Sequence, residues 1–222
     1  MNDTVVVIMA KAPQAGMTKT RLSPPLTPEQ AARLYEALLR DTIAGLAALD
    51  WADLALAISP PASRAYFEQI TPHGTRLLPI EGVDIGDCLR QAFESLFEAG
   101  YRKVLALNAD GPSLPRAYLQ QAAALLDEQD VVLGEGQDGG YYLVGLKALH
   151  VGLFQGIAWS TPQVLAQTLQ QAARAGLSAA LNPPWYDVDT IQDLLRLKAE
   201  LLGLPADRLG HTRQFLAEVD IP

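Results

Sequence analysis

Val104-Leu105-Ala106-Leu107-Asn108-Ala109-Asp110-Gly111-Pro112-Ser113-Leu114-Pro115 is the stretch around which the chain is organised. It begins with a short apolar run that period alone cannot assign to strand or helix. Gly100 before it and Gly111-Pro112 after it favour a buried strand. In an open α/β sheet, ligands lie beyond the carboxyl ends of parallel strands, so Asp110 would project into a crevice rather than into the core. Gly111 permits close approach of a ligand or metal to the backbone, and Pro112 stops the strand. For this stretch alone, a turn in which Asp110 accepts backbone hydrogen bonds is the plainer alternative.

Working outward, Thr4 to Met9 is β-branched and apolar on both faces, as expected of a central parallel strand covered by helices. The loop after it, Ala10 to Leu22, carries Lys11, Gly16, Lys19, Thr20 and Arg21. Backbone N–H groups and cations at a strand end suit phosphate. The loop is not a P-loop, because no glycine stands beside Lys19. Solvated loop charges are the plainer reading of a small basic cluster.

Thr27-Pro28-Glu29-Gln30 predicts a capped helix start, and the apolar spacing from Leu34 to Leu46 gives that helix a core face. Leu54 to Ser59 predicts a second strand, followed by a short helix through Tyr66 and Phe67; Thr75 to Ile80 predicts a weaker, peripheral strand. Glu81 to Asp87 is a glycine-punctuated loop whose Gly82 and Gly86 allow close approach of a planar ligand. Asp84 or Asp87 would cap the helix that follows. Another helix, through Tyr118 and Leu126, and a strand, Asp130 to Leu133, come after the central stretch.

Gly134 to Gly140 holds four glycines in seven residues, and Asp138-Gly139 is a turn signal, so a hairpin is the modest explanation. The same loop is one against which an acceptor or sugar could dock. Trp159-Ser160-Thr161-Pro162 predicts a hydroxyl N-cap with Pro162 near the first helical position, opening a helix that ends at Gly176. Leu177 to Leu181 predicts the last strand. In Asp187-Val188-Asp189, carboxylates at i and i+2 on extended chain point the same way and can share one hard cation; alternatively Asp189 caps the next helix. The tail from Pro205 reads as a short amphipathic arm.

The 222 residues suit a single domain, and the 49% hydrophobic content is ordinary for a globular core. A formal charge of −8 argues against a nucleic-acid partner, which needs a basic face, and implies that a bound phosphate requires help from a cation. The single cysteine, Cys88, excludes an internal disulfide. His73, His150 and His211 are too scattered for a histidine metal site. The segment Met1 to Thr4 lacks the positive region of a signal peptide, and no apolar run approaches a membrane span. A soluble, cytoplasmic protein with no membrane partner is expected.

Five stretches together resemble a known family: Lys11-Ala-Pro-x-x-Gly16-x-x-Lys19-Thr20-Arg21-Leu22, Gly82-x-Asp84-x-Gly86, Asp110-x-Pro112-x-Leu114, Asp138-Gly139-Gly140-Tyr141-Tyr142, and Trp159-Ser160-Thr161 with Asp187-Val188-Asp189-Thr190. They are similar, over nearly the whole chain, to the small glycosyltransferase-like proteins associated with radical-SAM and selenium-domain genes, within the nucleotide-diphospho-sugar transferase superfamily. A more distant resemblance is to phospholactate guanylyltransferase and to molybdenum-cofactor guanylyltransferases. The resemblance implies a GT-A fold, a Rossmann-like α/β/α sandwich with a mixed, mostly parallel sheet. It implies that Lys11, Gly16, Lys19, Thr20 and Arg21 hold a nucleotide's phosphates, with Gly82, Asp84 and Gly86 beside the nucleoside. Asp110 would be a metal carboxylate, with Asp187 or Asp189 as the second ligand of Mg2+ or Mn2+. Asp138, Gly139, Gly140, Tyr141, Trp159, Ser160 and Thr161 would face the acceptor. The chain departs from the family in Asn108, where members tend to have glycine, and in Cys88, where a basic residue is common.

The expected activity is transfer of a glycosyl or nucleotidyl group from an activated nucleotide to a small acceptor, with Lys19, Arg21 and Asp110 carrying the electrostatics. A non-catalytic nucleotide-binding partner module is the alternative. A haloacid-dehalogenase phosphatase would need a second acid two residues from its nucleophile, and Asn108-Ala109-Asp110 lacks that pair.

Overall fold

The β-branched run near the start of the chain forms strand β1, Thr4–Lys11, whose side chains alternate between two cores. Val6 and Ile8 enter one and Val5 and Val7 the other, so both faces of the strand are covered. The computed structural model describes residues 2–221. Met1 and Pro222, which end the segments read for a signal peptide and for a C-terminal arm, lie outside the described residues.

Among the described residues the other strands are β2, Asp53–Ser59; β3, Arg76–Pro79; β4, Lys103–Asn108; β5, Val131–Gly136; β6, Tyr141–Leu146; and β7, Ala179–Trp185. They form one sheet in the order β3-β2-β1-β4-β6-β5-β7. β1 runs parallel to β2 and β4, β2 to β3, and β5 to β7. Only β6 is antiparallel to its neighbours, β4 and β5, so the sheet is mixed and mostly parallel. Helices α1 (Pro28–Ala47), α2 (Arg64–Ile70) and α4 (Arg116–Leu125) cover the Val6 face; α3 (Ile85–Glu98) and α5 (Val164–Arg174) cover the Val5 face. This is the three-layer α/β/α architecture that the resemblance implies. No helix among the described residues is long and apolar enough to cross a membrane.

Several local expectations hold for the reasons given. Thr27 caps α1 through a complete capping box with Gln30, and Pro28 takes the first helical position. Asp84 caps α3 by accepting from the Asp87 N–H at 2.9 Å. Asp138-Gly139 lies in the β5–β6 hairpin turn, with Gly139 at φ +84. Others are corrected. β7 continues through Asn182-Pro183-Pro184-Trp185 instead of ending at Leu181. It pairs with β5 on one side only, so prolines that cannot donate are tolerated there. Helix α5 begins at Val164, and neither Ser160 nor Thr161 is its N-cap; Gln163 occupies that position without a side-chain cap bond. The Thr161 hydroxyl instead donates to the Ala158 carbonyl at 2.7 Å, and Ser160 sits at φ +61.

The tail is also more than an arm. Next to the expected helix α6, Ile191–Glu200, the tail from Pro205 forms helix α7, Gly210–Glu218, and both pack with α1 in a third cluster that buries Leu34, Leu38, Leu194, Leu197, Phe215 and Val219. The buried carboxylate of Asp41 on α1 accepts from the His211 and Thr212 N–H groups at 3.1 and 2.7 Å, the otherwise orphaned donors at the start of α7. Asp41→Ala should therefore cost about 2 kcal/mol of stability by stranding those donors, measured by denaturant unfolding. A loss within a few tenths of a kcal/mol would show that α7 does not depend on this contact.

Candidate functional site

From β1 the chain turns to β2 on one side of the sheet, while β4 lies on the other, so the order reverses between β1 and β4. A crevice opens beyond the carboxyl ends of strands at such a point. The loop after β1 brings Lys19 there, and the end of β4 brings Asn108 and Asp110. A third segment, between β7 and α6, is tied in by the Val188 N–H, which donates to the Asp110 carbonyl at 3.1 Å. Asp187 and Asp189 flank that anchor.

Lys19 is the centre of the arrangement. Its Nζ lies 2.5 Å from Asp110 Oδ2 and 2.8 Å from Asp189 Oδ1, and its side chain is 4% exposed. Its backbone is left-handed, φ 52 and ψ 40, uncommon for a residue with a side chain. Burial disfavours the ammonium, but Asp110 and Asp189 favour it more strongly, and the net result lies above the ordinary lysine value. Arg21 Nη1 stands 3.8 Å from Asp189 Oδ2 and is largely exposed.

The carboxylates outnumber the cations that touch them. Asp187 is half-buried and accepts from Asn108 Nδ2 at 2.7 Å; loss of solvent around the carboxyl, then the neighbouring Asp110, push it well above the usual range. Asp110 Oδ1 is buried with no hydrogen-bond partner. A further cation suits this donor set, since hard divalent ions take carboxylate oxygens. Among the described residues no three His, Cys, Asp or Glu side chains are already gathered around one cation position. Lys19 holds the place between two of the carboxylates. A Cβ on Gly111 would stand 3.2 Å from Asp187 Oδ1, so the close approach permitted there is by Asp187. Asp189 is not a helix cap: Thr190 caps α6 in a box with Asp193, which leaves the Asp189 side chain free for Lys19 and Arg21.

Two cavities meet at this point. One, of about 310 Å³, is lined by Lys11, Lys19, Thr20, Arg21, Tyr35 and Asp110 among others. The Tyr35 hydroxyl accepts from the Lys11 N–H at 3.1 Å, and burial with the nearby Asp110 pushes it up to about 12. The second, of about 690 Å³, is lined by Asp138, Gly140, Tyr141, Trp159, Ser160 and Thr161 together with Asp187 and apolar residues. Met9, Arg21, Ile85, Asn108 and Asp189 border both, so the two form one groove. Trp159 lies against Gly86, where a Cβ would come within 2.6 Å of the indole, and meets Tyr141 edge-on at 6.4 Å.

Of the residues singled out in the sequence, Gly16, Gly82, Asp84, Gly86 and Gly139 do not line the groove; their neighbours Met17, Ile85, Asp138 and Gly140 do. Asp84 spends an oxygen on its helix cap, and Gly139 packs beneath Pro162. Sequence reasoning missed Asn108 as the partner of Asp187, and it missed Tyr35, Met9 and Ile85 as lining. Only Asn108 carried a signal, as a polar residue at the end of an apolar strand and a departure from the family pattern.

The profile of the family described as "Uncharacterized protein conserved in bacteria (DUF2064)" matches residues 42–161. No curated protein matches the sequence. Among solved structures, that of a candidate nucleotide-diphospho-sugar transferase from Desulfovibrio desulfuricans G20 is 30% identical, with a TM-score of 0.90, covering 98% of this chain and 95% of that one. A cytidylyltransferase from Leptospira borgpetersenii serovar Hardjo-bovis is 12% identical, with a TM-score of 0.61 and coverage of 98% and 95%. A Mycobacterium tuberculosis H37Rv protein solved in complex with manganese is 16% identical, with a TM-score of 0.53 and coverage of 87% and 96%. The last two are likenesses of fold.

Proposed function

This chain belongs to the DUF2064 family, and from that premise we propose that it is a metal-dependent transferase acting on an activated nucleotide, a nucleotide sugar or a nucleoside triphosphate. The observation that carries the reading is the Lys19 ammonium set between Asp110 and Asp189 at the β1/β4 crevice, with Lys11 and Arg21 on the same cavity wall. Cations beside carboxylates at one strand-end crevice suit a phosphate chain that shares the site with a divalent ion. The residues to hold Mg2+ or Mn2+ are Asp110 with Asp187 or Asp189, and the bound ion would offset the negative charge that develops on the leaving phosphate. The manganese complex of a protein with the same fold supports this choice of ion.

The chain's own side chains divide the remaining work. Lys11, Lys19, Thr20 and Arg21 bind and orient phosphate oxygens, and Asn108 fixes the Asp187 carboxyl. No protein nucleophile is invoked: the acceptor attacks directly, and positioning with electrostatics lowers the barrier. On the acceptor side Asp138, Asp187 and Asp189 line the cavity with one cation among the described residues, Arg21, a balance that favours an acceptor carrying a free hydroxyl and no phosphate. The Trp159 face offers such an acceptor a flat apolar wall.

Thermal stabilisation by a panel of nucleoside triphosphates and nucleotide sugars, each with and without Mn2+, tests the reading. A ligand at a hundredfold excess over its Kd adds about 2.7 kcal/mol. Pyrophosphate release from a triphosphate identifies nucleotidyl transfer, and nucleoside diphosphate release from a nucleotide sugar identifies glycosyl transfer. Metal-dependent stabilisation with no release of either product would make the protein a binding module; no stabilisation by any member would remove the nucleotide reading. Trp159→Ala should raise the acceptor KM about tenfold, the worth of one aromatic contact, and leave donor stabilisation unchanged. An unchanged acceptor KM would take Trp159 out of the acceptor wall.

A further inference from the structure

We propose that Lys19 is a resident counter-ion that the nucleotide's phosphates must draw away before Asp110 and Asp189 can hold a divalent cation, so that metal and nucleotide bind together. The inference rests on the transferase reading only in naming the anion that draws the lysine. Its basis is a double occupancy: the ammonium contacts one oxygen of each carboxylate, at 2.5 and 2.8 Å, and those carboxylates are the donors a cation needs. Two positive charges cannot share those oxygens without strong mutual repulsion.

Four further features fit exchange rather than a fixed structural pair. Asp110 keeps Oδ1 buried and unpartnered, so its coordinating capacity is not exhausted by Lys19. Lysine carries a compact charge on a flexible stem with rotatable donors, which can change partners without moving its backbone. Withdrawing the ammonium with nothing in its place would strand two carboxylates in the crevice, so its departure is coupled to the arrival of another cation. Phosphate oxygens in the adjoining cavity, which Lys19 itself lines, give the ammonium its new partner.

The test is Mn2+ binding to the nucleotide-free protein, read from the electron paramagnetic resonance signal of the free ion. Lys19→Met should bind Mn2+ about tenfold or more tightly than the wild-type chain, because it unmasks two carboxylates and removes a competing cation. Adding Asp189→Asn to Lys19→Met should abolish that gain. Folded Lys19→Met that binds no more tightly than wild type overturns the proposal. Lys19→Gln, which keeps a donor for the carboxylates, is the second variant if the methionine form folds poorly. If neither folds alone, recovery of the native circular dichroism on adding Mn2+ supports the exchange, and no recovery overturns it. Tighter Mn2+ binding by the variants with no nucleotide stabilisation of the wild type would keep this inference and remove the transferase reading. Nucleotide-dependent stabilisation of the wild type with no gain in the variants would do the reverse.

Discussion

Replacing Asp110 with asparagine is expected to leave the fold standing and to remove the response to Mn2+. The substituted amide is nearly the same size and still offers an oxygen to Lys19, whose second partner, Asp189, remains. It also relieves Asp187 of a neighbouring negative charge, so the ligand-free melting temperature should change little. What is lost is a charged donor. Charge stabilisation by a bound metal is worth several kcal/mol, so a loss of about 4 kcal/mol corresponds to about a 10³-fold fall in kcat/KM. The measurements are nucleotide-dependent melting with and without Mn2+, and product release under the conditions that identify the activity of the wild type. An Asp110→Asn protein that keeps the wild-type Mn2+ response would sink the assignment of this carboxylate to the metal.

The second large effect is expected at Gly139, and it falls on stability. Its φ of +84 is costly for any residue with a Cβ, and a Cβ placed there would lie 2.3 Å from the Pro162 carbonyl oxygen. That obstacle is backbone, which cannot rotate away as a side chain can. Gly139→Ala should cost about 3 kcal/mol or more, adding left-handed strain to an overpacked contact between the hairpin turn and the approach to α5. Gly16→Ala is the matched comparison: its φ is +75 but nothing lies within 4 Å of its Cβ position, so strain alone should apply, about 1 kcal/mol. Urea unfolding of both variants decides the matter. Equal losses would mean that the Pro162 contact yields and that the hairpin is not clamped against it.

The two cases differ in how visible they were beforehand. Asp110 stood at the end of an apolar run with glycine and proline behind it, and strand-end geometry was enough to aim it at a crevice. The turn around Gly139 was legible as a hairpin, but its contact with Pro162 was not, because the partner lies beyond strand β6, near the end of the connection to α5. Trp159-Ser160-Thr161-Pro162 misled for a related reason. Hydroxyls before a proline match a helix start, yet the segment bends with Ser160 left-handed and Thr161 bonded back to Ala158, and the helix begins later. Pro183 and Pro184 suggested that the last strand had ended, whereas one-sided pairing lets it continue.

The sequence by itself determined what depends on near neighbours: the two-faced β1, the capped start of α1, the edge character of β3, the hairpin at Asp138-Gly139, and the set of acids and bases available to a site. The tertiary structure alone decided which of them meet. Lys19 pairs with partners 91 and 170 residues away, and Asn108 reaches Asp187 across 79. No local period or cap encodes those pairings. They follow from a sheet order that sets β1 beside β4 and returns the chain after β7 to the same crevice, where Asp110, Asp187 and Asp189 gather around one loop lysine and one asparagine.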